Sequence, residues 1–185
     1  RKLTFGGGAV LALVAGVVAG RTVTFNAAVA DGADIRLATA PTADVPGAAR
    51  RLSEAVRFLT ISHQDAADNR PEEWARFQQW LVATYPAVHR AMRREVIAGG
   101  TLVYHWPGRD AAAQPIILMA HQDVVPVTPG TEKDWKYPPF SGAIAENAVW
   151  GRGTVDDKGS LIALFEGLEG LAASGFTPRR SVYLV

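Results

Sequence analysis

The stretch KGSLIALFEGLEGLAAS, residues 158–174, decides the fold because it predicts the clearest helix in the chain. The apolar run Ile116–Ala120 precedes it and predicts a strand buried on both faces. The alternating run Ser181–Val185 follows it and predicts a second strand. Strand, crossover helix and strand together predict an α/β fold, a mainly parallel sheet with flanking helices. The predicted helix has one apolar stripe, made of Leu161, Leu164, Phe165, Leu168, Leu171 and Ala172, and Gly175 is its expected C-terminal cap.

Further elements are predicted on either side of this unit. Helical spacing of apolar residues predicts an amphipathic helix from about Pro46 to Ile61. A second helix is predicted to begin at Pro71, where Glu72 and Glu73 favour the N-terminal turn. Two strands are predicted at Glu95–Ile97 and Thr101–Trp106, joined by Gly99 and Gly100. A separate hairpin is predicted from Gly142 to Trp150, with its turn at Glu146 and Asn147.

The N-terminal segment is predicted to be a membrane anchor or a signal peptide, residues 1–21. Arg1 and Lys2 precede an uncharged stretch from Leu3 to Gly20. Ala28 to Ala30 offers a small-residue cleavage site. A buried core helix is the third possibility. With two basic residues before the stretch and one after it, we expect the rest of the protein outside the cytoplasm, membrane-anchored or secreted. Residues 22–45 are then a tether, and residues 46–185 the N-terminal part of a longer catalytic domain.

Composition narrows the classes of function. The formal net charge of +1 gives no reason to expect nucleic-acid binding. The chain contains no Cys, so thiol nucleophiles and cysteine metal sites are excluded. It also lacks the Gly-x-Ser-x-Gly elbow of serine hydrolases. Any metal site must therefore consist of His, Asp and Glu.

The first candidate group follows the apolar strand directly, as His121-Gln122-Asp123. Functional groups of open α/β sheets collect at the carboxyl ends of strands. Residues two apart on an extended chain lie on the same side, so His121 and Asp123 are expected together. An imidazole nitrogen can bind zinc while a carboxylate accepts the other ring N–H. A histidine that is merely hydrogen-bonded at a strand end is the alternative.

The second candidate group is a glycine-rich turn, Gly151 to Gly159, that carries Asp156 and Asp157 to the start of the long helix. Asp157 is a candidate helix N-cap. Asp156 is either one half of a surface ion pair with Lys158 or Arg152, or a metal ligand that faces His121. Its two carboxylate oxygens would allow it to bridge two cations.

Taken together, the motifs Leu118 to Pro126 and Gly151 to Gly159, with Pro138-Pro139-Phe140 between them, resemble the zinc metallopeptidase family of carboxypeptidase S, aminoacylases and desuccinylases. The branch most similar is the carboxypeptidase S-like one, which includes N-acyl amino acid hydrolases. The resemblance implies that His121 binds one zinc, that Asp156 bridges two zincs in the complete chain, and that Asp123 is the catalytic-site aspartate that orients His121. It places the general-base Glu after the strand Ser181–Val185, beyond this sequence.

The expected function is hydrolysis of peptide or N-acyl amide bonds by metal-activated water, in small substrates with a free carboxylate. This piece alone is expected to be inactive because it carries only two of the metal ligands. Two alternatives stay open. One is a deacylase, desuccinylase or esterase of the same fold, and the other is a membrane-tethered binding protein that has lost catalysis.

Overall fold

The computed structural model describes residues 3–25 and 43–185, and the chain divides into two units, Arg1–Ala40 and Pro41–Val185. The first unit contains helix α1, Leu3–Thr24. Among the described residues, no helix combines the length and the apolar character that crossing a membrane requires. The predicted cleavage site and most of the predicted tether lie outside the described residues. The expected location outside the cytoplasm stays a prediction.

The second unit contains four α-helices, and its sequence explains where they begin and end. Asp44 caps the first of them by accepting a hydrogen bond from the Gly47 N–H at 2.9 Å. Gly175, at φ +77°, lies just after the last one, as predicted. The helices are α2 (Val45–Val56), α3 (Pro71–Thr84), α4 (Pro86–Ala91) and α5 (Lys158–Ala173), with short 3₁₀ turns at Ala66–Asp68 and Glu132–Asp134.

The strands form a four-stranded sheet in the order β1-β2-β6-β3 and a separate two-stranded hairpin of β4 and β5. Glu146 and Asn147 have φ values of +53° and +59° at the hairpin turn, which confirms the predicted turn position. The strands are β1 (Arg93–Ile97), β2 (Thr101–Trp106), β3 (Ile116–Leu118), β4 (Ala143–Ala145), β5 (Ala148–Trp150) and β6 (Val182–Leu184).

The α/β class is confirmed, and the sheet is mixed. The predicted parallel pairing is found between β3 and β6, the two strands that α5 connects. The pairings of β1 with β2 and of β2 with β6 are antiparallel, and the turn at Gly99 and Gly100 accounts for the first of them by folding the chain back on itself. A mainly parallel sheet was therefore the wrong expectation for the described strands.

Two further expectations differ from the structure. The strand β3 is not buried on both faces: Ile117 is 63% exposed and Met119 is 73% exposed, because β3 is the last strand of the described sheet. The helix α2 ends at Val56 and not near Ile61, since Thr60 and Ser62 make backbone hydrogen bonds with Val124 instead.

The core lies between the helices and the sheet, and α5 provides its centre. Phe165 is fully buried, and its ring packs against Tyr85 of the α3–α4 junction and Tyr104 of β2. Burying a side chain of this size contributes about 1.5–3 kcal/mol. Arg51 of α2 and Tyr85 both hydrogen-bond to the Glu166 carboxylate of α5, which ties three helices together.

The sheet also determines where functional groups collect. Because β3 and β6 are parallel, with Leu118 opposite Leu184, their carboxyl ends lie at the same edge. The N-terminus of α5 lies at this edge too, since the His121 N–H donates to the Asp157 carboxylate at 3.3 Å. Both sequence motifs are thereby brought together.

Candidate metal site

His121 is the meeting point of the two motifs. Its ring Nε2 lies 2.9 Å from Asp156 Oδ1, although the two residues are 35 positions apart in the chain. Both side chains are accessible, at 50% exposure for His121 and 85% for Asp156. The fold therefore brings together an imidazole nitrogen and a carboxylate oxygen at a place that an ion can reach.

Asp123 contacts the opposite edge of the same ring. Its carboxylate Oδ1 lies 3.2 Å from His121 Nδ1, and its backbone carbonyl oxygen lies 3.0 Å from the same nitrogen. With two acceptors beside it, Nδ1 carries the proton, and the Nε2 lone pair is then available for a metal. Asp123 thus lies beside His121, as the spacing predicts, and both of its acceptors face Nδ1.

The charge around His121 affects its protonation. Partial burial lowers the pKa of His121, but hydrogen bonding to Asp156 and to the Asp123 backbone, together with the charges of both carboxylates, outweighs burial and leaves the pKa above its ordinary value. The carboxylates that favour the imidazolium, which carries a proton on each ring nitrogen, would equally favour a metal cation that takes the place of the Nε2 proton.

The glycine-rich turn positions Asp156 and Asp157 differently. Of the pairings considered for Asp156, the structure contains the one with His121, whereas the Lys158 ammonium donates to the Ala55 and Phe58 carbonyl oxygens. Asp157 occupies the N-cap position of α5, but its side chain makes no capping hydrogen bond. The predicted N-cap position is therefore confirmed, but the carboxylate accepts the His121 backbone N–H instead of a helix N–H. The Asp156–Asp157 peptide bond is cis.

Lys158 is a feature that the motif analysis did not single out. Its side chain is fully buried, and its Nζ lies 5.2 Å from the centre of the Phe77 ring. Burial lowers the pKa of Lys158 to about 7, with Glu73 and Asp123 acting in the opposite direction. A lysine beside two aspartates suggested a surface pair, and only the fold shows that it points inward.

A cavity of about 440 Å³ opens beside His121 and Asp123. Its wall is apolar toward the core, where Trp74, Leu161 and Phe165 line it, and polar toward the site, where Gln122 lines it. Polar groups that converge at the mouth of an apolar cavity are typical of a small-molecule site.

The side chains at this site are of the chemical types that bind zinc. Imidazole nitrogen and carboxylate oxygen are both zinc ligands, and the second carboxylate holds the ring in the tautomer that ligation needs. Within residues 3–25 and 43–185, no group of three or more His, Asp or Glu side chains is arranged to hold a metal ion. Asp123 faces Nδ1, so the candidate donors for an ion are His121 Nε2 and Asp156 Oδ1.

Comparison with known sequences shows which family the chain resembles. Residues 117–185 match the family described as Peptidase family M20/M25/M40. The chain is 45% identical over 137 residues to probable carboxypeptidase S-like 2 of Dictyostelium discoideum, covering 73% of this chain and 26% of that protein. It is 39% identical over 142 residues to carboxypeptidase S of Saccharomyces cerevisiae, covering 72% and 24%. It is 34% identical over 135 residues to human N-fatty-acyl-amino acid synthase/hydrolase PM20D1, covering 72% and 26%. The chain thus spans about a quarter of the length of these relatives.

Solved structures confirm the fold. The M20 family metallo-carboxypeptidase Sso-CP2 from Sulfolobus solfataricus is similar with a TM-score of 0.55 and 24% identity, over 74% of this chain and 29% of that one. Human carnosine dipeptidase 1 is similar with a TM-score of 0.56 and 17% identity, over 75% and 31%.

Proposed function

Because residues 117–185 belong to Peptidase family M20/M25/M40, we propose that the protein is a zinc-dependent hydrolase. It cleaves peptide or N-acyl amide bonds in small substrates that carry a free carboxylate. One observation carries the proposal: two motifs far apart in the sequence bring His121 Nε2 and Asp156 Oδ1 to within 2.9 Å of each other. The relatives named as carboxypeptidases and as an N-acyl-amino acid hydrolase support the substrate class.

Each residue has a distinct part in the proposed site. His121, through Nε2, would hold one zinc, and Asp156, with two carboxylate oxygens and high exposure, would hold that zinc and a second one. Asp123 keeps the Nδ1 proton in place and so keeps Nε2 free to bind. When bound, zinc lowers the pKa of a coordinated water from about 15.7 to about 7 and polarises the scissile carbonyl.

The cavity beside the site supports binding of a small substrate. The apolar side chains of Trp74, Leu161 and Phe165 line the cavity, and so does Gln122, whose amide bonds to the Gly100 carbonyl oxygen and to Gln78. Structural zinc has four ligands and catalytic zinc commonly three protein ligands, so His121 and Asp156 require partners from the remainder of the protein. The general base and those ligands are expected there.

Hydrolysis by the full-length protein tests the proposal. Matched substrates are a dipeptide and an N-acyl amino acid, each supplied with a free carboxylate and as the C-terminal amide. We expect cleavage of the free acids in preference to the amides, and loss of cleavage in His121→Ala and Asp156→Ala. The control is His105→Ala, a strand histidine that stacks on Tyr183 and does not line the cavity. A folded, zinc-loaded wild type that cleaves neither substrate would favour the tethered binding protein instead.

A further inference from the structure

One short segment of the chain contacts both metal-site motifs. Residues 58–62, called here the bridging segment, follow helix α2 and include an isolated β-bridge between Ile61 and Val124. The Phe58 carbonyl oxygen accepts a hydrogen bond from Lys158 Nζ at 2.7 Å. Two residues later, Thr60 hydrogen-bonds to the other motif twice, through its hydroxyl group and through its carbonyl oxygen. The motifs are therefore fixed to neighbouring positions of a single strand of backbone.

Thr60 holds the His121 motif. Its hydroxyl donates to the Gln122 carbonyl oxygen at 2.6 Å, and its carbonyl oxygen accepts the Val124 N–H at 2.9 Å. The Gln122 carbonyl belongs to the peptide plane that leads into Asp123, so this hydrogen bond sets the direction in which Asp123 leaves the backbone. Thr60 is fully buried. Without the hydroxyl, the Gln122 carbonyl oxygen would lose a buried donor.

Lys158 holds the Asp156 motif. It is the first residue of α5, immediately after Asp156 and Asp157, and its Nζ also donates to the Ala55 carbonyl oxygen at 2.9 Å. Ala55 belongs to the last turn of α2, where the helix dipole attracts a cation, and its carbonyl oxygen also accepts the Phe58 N–H at 3.3 Å. An ammonium group is costly to bury unless such acceptors surround it. The side chain therefore fixes the start of α5 against α2 and the bridging segment.

We propose that Thr60 and Lys158 are positioning residues of the metal site. By fixing the two motifs to the bridging segment, they set the separation of His121 Nε2 and the Asp156 carboxylate before any metal binds. The inference rests on the proposed function, since it concerns the same zinc ligands. Neither residue contacts an ion or a substrate; both act through the backbone that carries the ligands.

The test for Thr60 is zinc affinity of the metal-free, full-length protein, measured by competition calorimetry, with no dependence on activity. Thr60→Val keeps the branched shape and removes the hydroxyl, whereas Thr60→Ser keeps the hydroxyl and removes a methyl group. We expect zinc binding about 10- to 100-fold weaker in Thr60→Val, the usual effect of losing a group that orients a ligand, and near-wild-type binding in Thr60→Ser. A packing role alone predicts that the serine variant is at least as impaired. Thr131→Val, which removes a hydroxyl bonded to its own exposed loop, is the control.

Lys158 is tested in the same way with Lys158→Met, which keeps the length of the side chain and removes the donor. We expect Lys158→Met to bind zinc about 10- to 100-fold more weakly than the wild type. The control is Lys133→Met, at an exposed lysine, which should leave zinc affinity unchanged. Wild-type zinc affinity in folded Thr60→Val or Lys158→Met would overturn the assignment of that residue. A wild-type protein that binds no zinc would instead refute the proposed function, so the two failures are distinguishable.

Discussion

Replacing Gly159 with alanine is expected to destabilise the protein, although alanine is the better helix former. Gly159 is the second residue of α5, and a Cβ at this position would overlap the Thr154 carbonyl oxygen of the turn that carries Asp156. The obstacle is backbone, so it cannot move aside by a change of rotamer. Only glycine allows the turn to lie this close to the first turn of the helix.

The magnitude follows from comparison with a second glycine of the same helix. At Gly167, no atom lies within 4 Å of the position that an added methyl group would take, so Gly167→Ala should gain the full helix propensity of about 1 kcal/mol. Gly159→Ala gains at most the same amount, while overpacking costs about 1–3 kcal/mol, and more where backbone must shift. The net free energy of unfolding should fall by about 1–2 kcal/mol for Gly159→Ala.

Urea unfolding of the metal-free, full-length protein, followed by far-ultraviolet circular dichroism, measures both variants. The two substitutions should shift the midpoint in opposite directions, and Gly159→Ala should also weaken zinc binding because the turn with Asp156 is displaced. Equal stabilisation by Gly159→Ala and Gly167→Ala would refute the close packing of this turn on α5.

Two other predictions concern tyrosines. Tyr85→Phe removes a hydroxyl that donates to Glu166 at 2.8 Å and should lower the free energy of unfolding by about 1.5–3 kcal/mol. The control is Tyr137→Phe, whose exposed hydroxyl lies 3.5 Å from Glu146, and it should change the free energy of unfolding by less than about 0.5 kcal/mol. Equal effects of the two variants in thermal unfolding would contradict a stabilising role of the buried Tyr85–Glu166 hydrogen bond. Burial raises the pKa of Tyr104 to about 12, although the nearby Arg94 acts in the opposite direction. The neutral Tyr104 therefore stabilises the folded protein fully below pH 10, and this stabilisation is lost as the pH rises to about 12. Absorbance at 295 nm should show a late tyrosine ionisation that Tyr104→Phe removes, and its persistence in that variant would refute the assignment.

The sequence predicted the elements whose determinants are local. The apolar stripe of α5, the turn at Glu146 and Asn147, and the Gly99-Gly100 connection all depend on neighbouring residues, and all three are present. The helix α4 was missed because its support is distant: Glu169 accepts the backbone N–H groups of Ala87 and Val88 across 82 and 81 positions. The end of α2 was also missed. The apolar residues keep a helical spacing as far as Leu59, and this spacing does not reveal the hydrogen bonds that end the helix at Val56.

The residues of the candidate site also differ in whether the sequence alone reveals them. His121, Asp123 and Asp156 were found because their residue types and spacing follow from metal chemistry, and the structure brings all three together. Thr60 carries no such signal, since a threonine after an amphipathic helix is ordinary, and its contact with Gln122 spans 62 positions. The exposure of β3 could not be predicted either, because an apolar run does not reveal which strands lie beside it.

The most direct test of the central claim is the zinc content of the full-length protein, determined by mass spectrometry after equilibration with zinc and removal of the excess. The wild type should hold about two zinc ions per chain, and His121→Ala and Asp156→Ala should each hold fewer while keeping the wild-type circular dichroism spectrum. A folded wild type without zinc, or variants with the wild-type zinc content, would contradict a metal site built on His121 and Asp156.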